Sequence, residues 1–235
     1  MVEISETERL LRVWEFAWNR APCEQAIALA DFGLPETNRS TILAMPIGYR
    51  DKLLAQLRVR LFGSTVNLLA QCPACEERSE LDFELDTSDW ETPESKVSEI
   101  KLEGKSYHFR IPNSSDLIAM KNASTEDPRA FLVASCLDES QDSNLQGEVV
   151  DAISRAMGEL DPNANLTIDV ACSFCDHCWV QPFDVVALVW EEVSSWAKRT
   201  ISDVHALAKA YGWSEREILE MTPSRRQIYL NMAEA

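Results

Sequence analysis

Basic side chains are scarce in this sequence: 22 lysines and arginines stand against 39 aspartates and glutamates among 235 residues, a net charge of -17 at neutral pH. That balance argues against nucleic acid or an anionic membrane as the partner, because neither phosphate backbones nor acidic lipid would find a general electrostatic grip. Long apolar runs are missing too, with no stretch of about 18 residues able to cross a bilayer. The first twenty residues, MVEISETERLLRVWEFAWNR, interleave charges where a signal peptide needs an unbroken apolar segment, so a cytoplasmic location is expected. Glycine numbers only seven, and neither GxGxxG nor GxxxxGKS phosphate loops occur, which leaves nucleotide binding without support. Of the three histidines, His108, His177 and His205, none has a glutamate two residues on, and HExxH is absent. Metalloprotease and zinc-deaminase signatures are therefore lacking, as are a nucleophile elbow and an acid/base pair. The expectation is a binding protein and not an enzyme.

Cysteine is where the sequence is informative. The seven (Cys23, Cys72, Cys75, Cys136, Cys172, Cys175 and Cys178) are odd in number, and five fall in two tight clusters instead of being spread as a disulfide framework would be. CPAC at 72–75 and CSFC at 172–175 lie one hundred residues apart, and the same offset pairs Phe83 with Phe183, Trp90 with Trp190 and Glu84 with Asp184. Each segment reads as strand, CxxC, strand, aromatic. A duplicated knuckle is the simplest account, with Cys72, Cys75, Cys172 and Cys175 supplying four thiolates to one structural zinc. Four thiolates close the coordination sphere and leave no position at which water could be activated. Cys178 aligns with Arg78 and is not expected as a ligand, although CSFCDHC leaves Cys178 and His177 as substitutes. Cys23 and Cys136 fall on apolar helical faces and are expected in the core. A redox dithiol is the competing reading of a CxxC pair, but neither pair opens a βαβ helix.

The remaining pattern predicts an α+β chain. An amphipathic helix over 5–20 carries Leu10, Leu11, Trp14 and Trp18, with Ser5 and Glu8 placed as a capping box. Helices are predicted at 23–32, ended by Gly33 and Pro35, and at 48–62, ended by Gly63. Strands at 65–70 and 81–85 flank the first cysteine pair. Residues 76–103 hold eleven acidic and three basic side chains and read as largely solvated. A hairpin at 100–102 and 107–111, helices near 114–122, 126–137 and 148–159, a loop at 138–147 and a strand at 166–171 follow. The tail is helical: 184–211, a short helix capped by Ser214 and Glu217, and a last one started by Thr222 and Pro223. In segments, this gives an N-terminal helical part (1–64), a first zinc knuckle (65–90), an acidic connector with hairpin and helical insertion (91–165), a second knuckle (166–184) and a C-terminal helical part (185–235).

The runs ALADFGLPETNRSTILAMPIGYRDKLLAQLRVRLFG, CPAC, YHFRIPNSSDLIAM, CSFCDHCW with FDVVALVWEEV, and DVHALAKAYGWSEREILEMTPSRRQIYL together resemble the zinc-ribbon proteins encoded with phage-tail-like contractile injection systems. Among named groups they are similar to the baseplate hub assembly chaperones of the T-even phage type. The sequence departs from that pattern in the extra Cys178 and in Glu76, where ribbons usually have glycine. The resemblance implies a non-enzymatic protein that helps to assemble a phage-like baseplate or tail hub, as chaperone or component, with baseplate or tail hub proteins as partners. Residues 198–232 are the expected docking element, with Tyr211, Trp213, Arg225, Arg226 and Tyr229 as its contacts; packing of the same aromatic and aliphatic anchors into the chain's own core is the alternative. Two other functions compete: a redox-regulated zinc protein, and a nucleic-acid-binding zinc ribbon, which the charge disfavours.

Overall fold

The computed structural model describes residues 5–93, 97–102, 104–138, 145 and 147–233. Four helices come first: α1 (Glu6–Ala17), α2 (Pro22–Gly33), α3 (Arg39–Ala44) and α4 (Ile47–Phe62). A long hairpin, β1 (Thr65–Gln71) and β2 (Arg78–Glu84), is followed by a second one, β3 (Ser98–Leu102) and β4 (Lys105–Phe109). Next come α5 (Ser114–Ala123), α6 (Pro128–Cys136), α7 (Gly147–Leu160), a 3-10 turn (Pro162–Asn165) and a third hairpin, β5 (Thr167–Ala171) with β6 (Cys178–Pro182). The chain closes with α8 (Val185–Tyr211), α9 (Glu215–Leu219) and α10 (Pro223–Ala233). All three sheets are antiparallel pairs, so the α+β expectation holds. Among the described residues no helix is long and apolar enough to cross a membrane.

Local sequence explains most boundaries. Ser5 accepts from the Glu8 amide and starts α1, but the Glu8 carboxylate turns to Arg12 (2.6 Å), so only half of the expected capping box forms. The Ser214 and Glu217 box at α9 is complete. Gly212, at φ 71°, ends α8 in the left-handed conformation that glycine adopts without strain. Helix α3 has no counterpart in the sequence reading: its six residues are too few for periodicity, and Asn38, whose side chain accepts from the Ser40 amide, is its visible signal. Part of the acidic stretch 76–103 is ordered as β2 and β3, while residues 94–96 and 103 lie outside the described residues, as do 139–144 and 146 of the predicted loop.

The main core joins α1, α2 and α4 to the first half of α8, through Leu10, Ile27, Leu29, Leu54, Val189 and Val193. It also takes in the roots of the outer hairpins, with Val66 and Leu85 buried and Phe83 and Phe183 packed against them. The insertion between the outer hairpins has its own core, built on Phe109, Val133, Cys136, Val150, Ile153 and Met157. The tail helices close over the second half of α8, where Leu207, Ile218 and Leu230 are buried together.

Two polar locks fix how the hairpins leave this body. Arg58 on α4, 2% exposed, donates from Nε and Nη2 to both oxygens of Glu192 on α8 (2.8 and 2.7 Å) and from Nη1 and Nη2 to the carbonyls of Gly63 and Thr65 (2.6 and 2.7 Å). One guanidinium thus satisfies the α4–β1 junction and ties it to α8. At the other end of α4, the Gly48 amide donates to Asp161 Oδ2 (2.8 Å), which brings the 3-10 turn, and β5 after it, against the helix start. That approach requires glycine: a Cβ on Gly48 would lie 1.9 Å from Asp161 Oδ1 and 2.8 Å from the Ala164 nitrogen.

Gly48→Ala is expected to cost about 3 kcal/mol of unfolding free energy, since the added Cβ would meet the Ala164 backbone, which cannot swing aside. Gly147→Ala, where a Cβ meets nothing within 4 Å, is the neutral control, and urea denaturation of both variants is the measurement. Arg58→Ala should lose about 3–5 kcal/mol in the same assay, because it strands a carboxylate and two carbonyls.

Candidate metal centre

Each CxxC turn is built the same way. In the first, the Cys72 amide donates to the Glu77 carbonyl (2.9 Å), the Glu76 amide donates back to the Cys72 carbonyl (2.9 Å), and the Ala74 amide points at Cys72 Sγ (3.4 Å). In the second, the Cys172 amide donates to His177 (2.9 Å), the Asp176 amide to Cys172 (3.1 Å) and the Phe174 amide to Cys172 Sγ (3.4 Å). Every partner is displaced by one hundred residues. Glu76 (φ 63°) and Asp176 (φ 57°) both occupy the left-handed region, which is why ribbons favour glycine there.

The two turns meet. Cys72 Sγ lies 3.7 Å from Cys175 Sγ and Cys75 Sγ lies 3.6 Å from Cys172 Sγ, an exchange that a twofold relation between the hairpins produces. All four sulfurs fall within 4.8 Å of one another, and the group could hold a metal ion. Bonds of about 2.3 Å from a tetrahedral zinc would set sulfurs about 3.8 Å apart, so the spacing and the soft donor set fit that ion. At the hairpin roots the duplicated aromatics also meet, Phe83 and Phe183 packing edge to face with centroids 5.6 Å apart. Cys72 and Cys172 are buried, Cys75 is half-buried and Cys175 is exposed, so the cluster is covered from the hairpin side.

Four thiols this close do not ionise independently. The Phe174 amide is the chief cause that draws Cys172 down to about 6, helped by the Cys175 amide and by neighbouring thiols against the opposing effect of burial. Cys75 receives the Glu77 amide, which lowers it, yet burial and the sulfurs of Cys175, Cys172 and Cys72 outweigh that and push it up to about 12. Ionisation is thus favoured at Cys172 and resisted at Cys75, as sulfurs that share protons require. A bound cation reverses that balance by pairing with every sulfur.

The substitutes left open by the sequence are not in the cluster. Cys178 is exposed with its thiol toward the Asp176 carbonyl (3.6 Å), and the His177 ring stacks on Trp179 with centroids 6.1 Å apart. Cys136 is buried in the insertion core, where burial and Asp116 push its thiol to about 12. Cys23 is half-buried beside a cavity of about 330 Å³ that Arg50, Asp51 and Asp184 also line, a wetter place than the core position expected for it. Sequence reasoning missed Ser79. Buried between the turns, its Oγ lies 3.9 Å from Cys172 Sγ and accepts from the Ser173 amide (3.4 Å); a serine in a polar strand gives no signal of that role.

The predicted docking residues are mostly engaged with one another. Tyr211 stacks on Trp213 (4.5 Å), Tyr229 packs edge-on to both, the Tyr211 hydroxyl donates to the Tyr229 carbonyl (3.2 Å), and the Arg225 guanidinium sits over the Tyr229 ring (5.7 Å). Arg226 does not face solvent: it is 3% exposed, and its Nη1 reaches the Met221 carbonyl (3.5 Å). Ile218, Leu219 and Leu230 are likewise buried against the chain itself.

Replacing Glu76 by glycine relieves the left-handed strain and is expected to raise stability by up to about 1 kcal/mol. Asp176→Gly should gain less, because aspartate tolerates that conformation better. Thermal and urea unfolding of the two variants test the ranking.

A family model described as T4 bacteriophage base plate protein matches residues 31–188. Comparison with curated proteins and with solved structures gives no match. The matched span begins in α2, contains both CxxC turns with the insertion between them, and ends in the first turn of α8. The four-cysteine cluster is therefore inside the shared region, whereas most of α8 and the tail helices lie beyond it. With more than half of its length matched, the chain belongs to the T4 bacteriophage base plate protein family.

Proposed function

We propose that this chain is a non-enzymatic assembly protein of a phage-like base plate or tail hub, acting in the cytoplasm as chaperone or component, and stapled by one structural zinc. The observation that carries this reading is the closed set of four sulfurs drawn from two hairpins, inside the region shared with the base plate family. Cys72, Cys75, Cys172 and Cys175 would hold the ion, and what it supplies is a cross-link. A full thiolate shell leaves no open position for substrate. Ser79 and the amides of Ala74 and Phe174 would steady the sulfur charge.

Partner binding is assigned to base plate or tail hub proteins, with the tail helices as one contact face. There, Tyr211 and Arg225 offer an exposed aromatic and an exposed cation, backed by Trp213 and Tyr229, while Arg226 serves from within as a buried support. Truncating residues 212–235 would be a poor test, since it uncovers Leu207. A point change is better.

Zinc measured by atomic emission should come to one ion per chain, and Cys72→Ser or Cys172→Ser should abolish it. Structural zinc contributes on the order of 10 kcal/mol in small domains, so chelation should lower the melting temperature by roughly 10 °C or more, and zinc should restore it. An unchanged melting curve after verified removal overturns the structural role. Arg225→Glu should weaken binding to base plate proteins encoded with the chain by about tenfold, read by calorimetry.

A further inference from the structure

The two halves of the centre serve as controls for each other. Ala74 and Phe174 hold the same place in their turns, each directing its amide at the first cysteine sulfur over 3.4 Å. Alanine meets that structural need, so the turn does not require the phenyl ring of Phe174, which is 64% exposed. Along the strands the exchange runs both ways, with Val180 (61% exposed) at the place of Glu80 and Leu69 (62% exposed) at the place of Asp169, so the hairpins differ without compensation at the tip. Exposed aromatics on a rigid support are the side chains that dominate protein interfaces, because little freedom is left to lose on binding.

The setting of the ring selects the partner's chemistry. The hairpins join the main core at their roots, through Val66, Leu85, Phe83 and Phe183, and strands of seven residues in the first hairpin and five in the second carry the turns roughly 15–20 Å further out. At that tip Glu76, Glu77 and Asp176 are exposed, against one exposed cation, Arg78. An apolar knob rimmed by carboxylates repels nucleic acid, anionic lipid and a second copy of its own acidic tip. It suits an apolar pocket edged by lysine and arginine.

We propose that the joined CxxC turns form a docking prong, with the Phe174 ring as its anchor and Glu76, Glu77 and Asp176 as its acidic collar, for a basic-rimmed apolar pocket on another base plate protein. This rests on the assembly reading and adds to it a contact distinct from the tail helices. The test uses full-length protein loaded with zinc and, as probes, the base plate proteins encoded with it, purified singly and titrated by calorimetry. Phe174→Ser should keep zinc content and melting temperature while weakening binding by about thirtyfold. Glu77→Lys should weaken it by about tenfold at low salt, with the difference shrinking at high salt. Unaltered affinity in Phe174→Ser, when the parent chain binds, overturns the prong and leaves the assembly reading intact. Loss of zinc in that variant overturns it as well, since the ring would then be structural. If the parent chain binds none of the base plate proteins, the assembly reading fails and the prong fails with it.

Discussion

The meeting of four sulfurs is the constraint on which the rest of this molecule depends. Held 3.6–3.7 Å apart in crossed pairs, they can all be thiolates only with a cation between them, so the contact between the hairpins is a matter of charge balance as much as of packing. The body beneath is arranged to make that contact cheap. The Arg58 lock sets the exit of β1, the Gly48 contact sets the approach to β5, and the paired phenylalanines at the roots hold the hairpins together before any ligand atom is reached. Closing the centre therefore costs little further conformational entropy.

Much of this was legible in the sequence, for identifiable reasons. A CxxC turn is a local motif, and its repetition at an offset of one hundred residues, with Phe83 and Phe183 in step, carried long-range information that single motifs lack. Helix starts at Ser5, Ser214 and Thr222 were readable because capping is chemistry between near neighbours. Contacts made across the fold were not. Nothing around Gly48 announces that Asp161 will sit against it, nothing in a helical arginine such as Arg58 reveals Glu192 on the far side of the core, and Ser79 looks like any polar residue of an acidic strand.

The tail shows the same limit from the other side. Tyr211, Trp213 and Tyr229 were recognisable as a group of anchors, but composition cannot distinguish anchors for a partner from anchors for one's own helix. The structure spends most of that aromatic surface internally, with Arg225 laid over it. The hairpin tip reverses the pattern: Phe174 lay inside a motif read for its cysteines, and its exposure became informative once Ala74 was found in the matching place.

The insertion with its separate core lies between the two CxxC turns, whose crossed sulfur pairs join positions 97 and 103 residues apart. The entropy of closing a flexible loop grows only with the logarithm of its length, about 0.6 kcal/mol for each doubling. Length changes within that segment accordingly cost the centre little, provided that α5 keeps its seat on the body, with Ser114 accepting from Arg50 Nη1 (3.1 Å) and the Pro112 carbonyl accepting from the Ile47 amide (3.3 Å), and that the 3-10 turn still seats against Gly48.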